Sequence, residues 1–239
     1  MAVPNTSPSA TGTSNQTRRA YDQVKVLIRS GEIVENEKIL EDSLIRSLGI
    51  TRTAVREALQ LLAAEGRVSR QRRAGTLVNT AVLQIPVDDI MPWKASSRLS
   101  IERTDYRTVV NTPTIAEHLN IDDEYVGLVE HCFMNGTEAF GVRIAYFRRI
   151  YEQPASWLHF PSLAEAFEFV YGSPLTEIRT VVDATACDSA TAKLLGIATG
   201  SPMLVLEQVL VDGRGLAQEY TFSYYRADSV TFPLAPVRL

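Results

Sequence analysis

The chain has 239 residues, of which 45% are hydrophobic and 22% charged, with a formal charge of -4 at neutral pH. That length suits one large domain or two small ones, each able to bury a core. No apolar run approaches the roughly 20 residues of a membrane-spanning helix, and the first residues lack a basic start followed by an apolar stretch, so no membrane partner is expected and the cytoplasm is the expected location.

Residues 1–17 carry no charge and are rich in Ser, Thr, Asn, Pro and Ala without a periodic apolar pattern, which predicts a disordered tail. Residues 18–80 hold twelve basic and eight acidic residues, whereas 81–239 hold twelve basic and twenty acidic ones. A basic module tied to an acidic one implies a polyanionic partner for the first alone. In 18–30, Tyr21, Val24, Leu27 and Ile28 recur at helical spacing, with Gly31 as the stop. A second, short helix is predicted from about Glu41 to Leu48, with Leu44, Ile45 and Leu48 as its apolar face, and Gly49 and Ile50 make a turn. Thr51 then fits the N-cap of a third helix, whose buried stripe is Val55, Leu59 and Leu62 with Ala58 alongside.

Opposite that stripe, Arg52, Thr53 and Arg56 project from the first turns, where the free amides and the positive dipole end also point outward. A recognition helix meets DNA in this way: N-terminal side chains reach base edges while neighbouring donors hold phosphates. "GRVSRQRRAGTLVN" follows as two short β segments around Arg72 to Gly75, a hairpin wing carrying Arg67, Arg70, Arg72 and Arg73.

Residues 21–78 resemble the GntR family of bacterial transcription regulators, through "YDQVKVLIRSGEI", "LIRSLGITRTAVREALQLLAAEG" and "RRAGTLV" in family order and spacing. The resemblance implies a winged helix-turn-helix over 18–80 that binds a palindromic double-stranded DNA operator as a homodimer. It implies DNA contacts from Thr51, Arg52, Thr53, Arg56 and Gly75, to which the wing adds Arg72 and Arg73. Two positions depart from the family. Asn36 stands where Gly is usual, a change that Asn tolerates because it visits the left-handed region. Asp42 stands where many members place a DNA-contacting Arg, so either that contact is lost or the correspondence slips by one residue.

Residues 81–95, with Pro86 and Pro92, read as an interdomain linker. From 96 the texture changes to alternating strands with an internal repeat. "IAEHLNIDDEYVGLVEHCFMNGTEAFGVRIAYF" can be laid over "TAKLLGIATGSPMLVLEQVLVDGRGLAQEYTFSYY", each copy reading short helix, strand, tight turn, strand. Asn135-Gly136 and Asp212-Gly213 are the predicted turns, and Glu130 and Glu207 each lie six residues before the turn glycine. Between the copies, 163–171 reads as a helix and 175–186 as a strand. The fold class is therefore α+β, with an antiparallel sheet in the second domain.

Strand alternation places Phe140, Val142, Ile144 and Tyr146 on one face and Gly141, Arg143, Ala145 and Phe147 on the other. In the second copy, Leu216, Tyr220, Phe222 and Tyr224 oppose Ala217, Glu219, Thr221, Ser223 and Tyr225. The latter set in each copy is small and mixed with single charges, which fits the wall of a ligand cavity or a sheet face that is simply wet.

Residues 96–232 resemble the UTRA effector domain of the HutC-like GntR branch, including "LLGIATGSPMLVLEQVLVDGRGLAQEY" and "YYRADSVTF". The resemblance implies a chorismate-lyase-like fold over 96–239, dimerisation, and a small-molecule effector that alters operator affinity, with Glu219 and Tyr225 at polar positions of the pocket. Members that sense sugar phosphates use an Arg-x-Arg pair on the first strand; Glu130 and Cys132 align there, and Arg143 replaces a Glu common on the next strand. The expected effector site is thus Glu130, Arg143, Glu219 and Tyr225. Arg143 would take a carboxylate, and Glu130 or Glu219 a hydroxyl or amine, in place of a sugar phosphate. Alternatively, Glu130 and Arg143 pair with each other across adjacent strands.

Two other classes stay open: a lyase-like enzyme on the same fold, and a GntR head joined to an all-helical sensor. Against an enzyme, His118, His131 and His159 are scattered with no nucleophile and base pair. Cys132 and Cys187 lie far apart without CxxC spacing and read as buried packing residues, so neither metal nor cofactor is expected.

Overall fold

The structure, a computed structural model, describes residues 11–71, 75–79, 82–87, 99–148, 160 and 162–233. The chain forms two compact units, divided after Val82.

In the first unit, helices α1 (Thr11–Ser30), α2 (Glu41–Leu48) and α3 (Arg52–Ala64) share one core with a sheet of β1 (Lys38–Ile39), β2 (Val68–Gln71) and β3 (Gly75–Val78), ordered β1-β3-β2. Ala20, Val24 and Ile28 of α1 pack with Leu44 of α2, with Val55, Ala58, Leu59 and Leu62 of α3, and with Ile39, Val68 and Val78 of the sheet. Burying each of the larger side chains stabilises the unit by about 1.5–3 kcal/mol. Gly49, at φ 62, ends α2 in the left-handed conformation, and the Thr51 hydroxyl starts α3 by accepting a hydrogen bond from the Ala54 amide. Asn36 has a φ of 65, the left-handed conformation expected at that position.

Two features differ from the sequence reading. α1 begins at Thr11, inside the stretch expected to be disordered, and Thr17 is buried with its hydroxyl on Glu57 of α3 at 2.6 Å, a tertiary contact that composition does not reveal. The wing hairpin also gains a third strand, β1, through pairing of Lys38 with Leu77 and Ile39 with Thr76.

The second unit contains β4 (Leu83–Gln84), β5 (Leu99–Val110), α4 (Pro113–Leu119), β6 (Tyr125–Asn135), β7 (Glu138–Phe147), α5 (Leu163–Tyr171), β8 (Leu175–Ala186), α6 (Ser189–Leu195), β9 (Pro202–Asp212), β10 (Ala217–Arg226) and β11 (Val230–Thr231). Six strands form one antiparallel sheet in the order β5-β6-β7-β10-β9-β8, so the two repeats meet at β7 and β10. Each repeat's helix covers the other repeat's strands. Ile115 and Leu119 of α4 pack on Val209, Val211 and Tyr220, while Ala192 and Leu195 of α6 pack on Cys132 and Val142. Both cysteines are buried in the latter cluster. This six-stranded sheet overturns the all-helical sensor reading.

The second hairpin is not the two-residue turn expected at Asp212-Gly213. Asp212 is fully buried and its carboxylate accepts from the amides of Arg214 and Leu216 and from the side chains of Arg214 and Gln218. Those donors hold its carboxyl well below the usual carboxylate range, despite the opposing effect of burial. A loop folded around one anion therefore replaces a tight turn.

The segment expected as a linker also supplies structure. Leu83 and Gln84 pair in parallel with Val230 and Thr231, and Leu83 and Ile85 are buried in the core beneath α5 with Leu163, Phe167, Leu206 and Tyr225. Pro86 limits the strand but does not keep it out of the core. Ile85→Ala is expected to cost about 2–5 kcal/mol. A fragment starting at Leu83 should likewise melt at a higher temperature than one starting at Ser96, and equal melting temperatures would contradict a structural role for β4.

Candidate functional site

In the first unit Thr51, Arg52, Thr53 and Arg56 all stand exposed at the start of α3, as the sequence implies. Neither arginine is bare. Asp42 Oδ1 accepts from Arg52 Nη2 at 2.6 Å, and Glu41 Oε2 accepts from Arg56 Nε at 3.0 Å. Arg70 of the wing donates through Nη2 to the Arg56 carbonyl at 3.3 Å, whereas Arg67 is largely buried beside Glu65. Gly75 opens β3 at φ +96, and a Cβ there would lie 2.7 Å from Lys38 Cε. Arg72 and Arg73 lie outside the described residues, as does His159. Sequence reasoning missed the carboxylate partners, although "EDSL" at the start of α2 carries both of them.

In the second unit, register sorts the side chains. Arg143 pairs with His131 on β6 and Ser223 on β10, and Ala145 pairs with Val129 and Thr221. Directly paired residues share a face, so His131, Phe133, Arg143, Thr221, Ser223, Tyr225 and Glu219 line one side of the sheet. That side is not wet: His131, Arg143, Gln208, Glu219, Thr221, Ser223 and Tyr225 are all buried. Arg143 reaches along the strand past the small Ala145 and Thr221 to form an ion pair with Glu219, and the Tyr171 hydroxyl at the end of α5 donates to the other Glu219 oxygen at 2.7 Å.

Glu130 does not join them. Its Cα partner is Ile144, which places it on the opposite face, 3.8 Å from Arg107. The cause is a bulge between Phe133 and Met134. The hairpin starts with Asn135 opposite Glu138, a register that would bring Glu130 to Arg143, and one extra residue on β7 moves His131 there instead. The expected Glu130–Arg143 pair and the expected four-residue site are both corrected: Arg143, Glu219 and Tyr225 share a face, and the residues flanking Arg143 on β6 are His131 and Phe133. His131, Tyr171 and Gln208 were the side chains the sequence reading missed.

Tyr225 is fully buried and stacks on Phe133 with ring centroids 5.5 Å apart. Gly141 makes room for it, since a Cβ there would lie 2.7 Å from the Tyr225 ring. Burial pushes the Tyr225 phenol up, with Ser223 and Arg143 acting against it. Burial, then Arg143 and Arg103, lower His131 to about 3, so it is neutral at physiological pH. Gln208 Nε2 donates to Thr180 and to the Val87 carbonyl. Among the described residues, Arg143 Nε, Gln208 Oε1 and Thr221 Oγ1 have no hydrogen-bond partner, so this buried face retains unused capacity for polar contacts.

A winged helical head followed by a duplicated antiparallel α+β domain with a polar interior defines a two-domain DNA-binding regulator. Residues 16–78 match the model of bacterial regulatory proteins of the gntR family, and 96–231 match the UTRA domain. The chain belongs to the GntR-family transcriptional regulators that carry a UTRA effector-binding domain, in the HutC-like group. It is 22% identical over 219 residues to the transcriptional repressor NagR of Bacillus subtilis, covering 88% of this chain and 90% of that one. It is 26% identical over 224 residues to the transcriptional regulator GgaR of Escherichia coli K12, covering 88% and 87%. PhnF of Mycobacterium smegmatis shares the fold, with a TM-score of 0.57 at 20% identity over 91% of this chain and 99% of that one.

His131 yields a pH prediction. Its folded pKa lies below the ordinary 6.5, so the unfolded chain takes up a proton first as pH falls. Stability is full above about 6.5 and declines toward pH 3, by an amount on the order of a few kcal/mol. In chemical denaturation over that range, His131→Phe should lose less stability on acidification than the unaltered protein; parallel slopes would show that His131 contributes nothing to them.

Proposed function

We propose that the protein is a dimeric repressor, acting in the cytoplasm, whose affinity for a palindromic operator is set by a small carboxylate-bearing metabolite. Thr51, Arg52, Thr53, Arg56 and Gly75, with Arg72 and Arg73, contact the DNA. Repression follows the role stated in NagR's name, and regulation in place of catalysis follows the names of both relatives. β8 is a sheet edge with Val181 and Val182 exposed, a strip suited to a second copy of the chain.

The observation that carries the effector reading is the buried Arg143–Glu219 pair. It supplies one cation whose charge is already balanced by one anion, beside a neutral His131 and a Phe133. A phosphate dianion there would find no second buried cation, since Arg103, opposite His131 on β5, is exposed, and burying the charge uncompensated is costly. A carboxylate can instead take the place of Glu219 on Arg143, with Tyr225 and Thr221 as further polar contacts. Glu219, released from Arg143, then keeps its Tyr171 hydrogen bond and takes an amine or hydroxyl of the same ligand, an amine restoring the charge balance. Such a ligand shifts the equilibrium only through its different affinities for the two arrangements.

A thermal-shift screen tests this, because a ligand bound only to the folded protein raises its melting temperature. A carboxylate is expected to stabilise the protein, and the paired variant Arg143→Gln with Glu219→Gln, which keeps both side chains hydrogen-bonded, should abolish the response. A stabilising sugar phosphate would overturn the reading. For the head, Arg52→Ala is expected to cost about 1–3 kcal/mol of operator affinity and to relax base preference. Equal losses on operator and unrelated DNA would instead make Arg52 a phosphate contact.

A further inference from the structure

We propose that Asp42, with Glu41 beside it, sets the sequence specificity of the DNA-reading surface by holding Arg52 in one orientation and opposing its capture by phosphates. The inference rests on the reading of Arg52 and Arg56 as DNA contacts. Both arginines lie on the exposed side of α3, one helical turn apart. An untethered arginine there finds its commonest partner in a phosphate, present at every step of any duplex, and a phosphate carries no sequence information.

The ion pairs withhold that choice. Asp42 engages Arg52 through Nη2 at 2.6 Å, and Glu41 engages Arg56 through Nε at 3.0 Å. The two acids are consecutive in the first turn of α2, where the helix dipole favours negative charge. Arg70 braces the Arg56 carbonyl from the wing. Arg52 and Asp42 are 56% and 67% exposed, so their pair adds little to folding stability, and its effect lies in direction and charge. With one Nη2 hydrogen on Asp42, the remaining N–H groups of Arg52 can still meet the two acceptors of a guanine edge. To reach a phosphate, the guanidinium has to turn from Asp42 and leave a carboxylate facing the DNA backbone. Asp42 therefore penalises sequence-independent contacts more than base contacts.

The test uses the full-length protein and its D42N, D42E and R52A variants. Each is put through selection from a random-sequence duplex library, then titrated against the duplex enriched by the unaltered protein and against a shuffled duplex, over a salt series. D42N is expected to bind the shuffled duplex about three- to tenfold more tightly with a steeper salt dependence. It should lose base preference at the positions that R52A also loses, and D42E, which keeps the charge, should restore both. The proposal is overturned if D42N leaves base profile and shuffled-duplex affinity unchanged, or weakens both duplexes equally. If R52A itself keeps the full base profile, Arg52 is not a base-reading contact and the proposal falls with that reading.

Discussion

Side chains of neighbouring antiparallel strands share a face only while their register holds, and the interior of the second unit depends on where that register changes. The β6–β7 hairpin leaves its first register between Phe133 and Met134, and from there inward every β6 side chain has moved to the opposite face from the one a regular hairpin gives it. With Glu130 inside, Arg143 would find an anion within its own hairpin. With His131 inside and neutral, Arg143 is left to reach β10, and its partner becomes Glu219. The buried pair therefore ties one repeat to the other across the central β7–β10 junction. Tyr171 extends the same network to the end of α5.

Much of the head was legible because its signals are local. Helical spacing, a threonine cap and a glycine stop lie within a few residues of what they control, and Thr51 and Gly49 do what their positions imply. The repeat was legible for a similar reason, since two copies of one pattern reinforce each other. What escaped was set at a distance. β1 and β4 are two residues long and acquire their structure only by pairing with strands elsewhere in the chain. Leu83 and Ile85 sit in a stretch whose prolines suggest a linker, and their burial depends on core residues from most of the second unit. The site was half legible: alternation placed Arg143, Glu219 and Tyr225 on one face, but no local cue distinguishes a bulged hairpin from a regular one, so Glu130 was assigned to the wrong side.

The two units pair their arginines alike in chemistry and differently in energy. Arg52 and Arg56 rest on the carboxylates of α2 at a solvated surface, where water screens the pairs and either partner can exchange at little cost. Arg143 and Glu219 are paired in the interior, where removing one partner leaves an uncompensated charge and is strongly destabilising. The surface pairs thus add little to folding stability and act through the direction and charge they impose on the arginines. The interior pair is much harder to break, because whatever replaces one partner has to restore both its charge and its hydrogen bonds.

The parallel pairing of β4 with β11 joins the first residues of the second unit to some of the last described ones. During synthesis the head, whose contacts lie within the first 82 residues, can fold soon after it leaves the ribosome. Leu83 and Ile85 follow directly but have no strand to pair with until Val230 and Thr231 emerge. Until β11 is made the chain therefore carries a folded head followed by a strand that lacks its partner. The second unit closes late and at high contact order, so a ribosome that stalls before β11 leaves a fragment whose head is folded while its sensor is not.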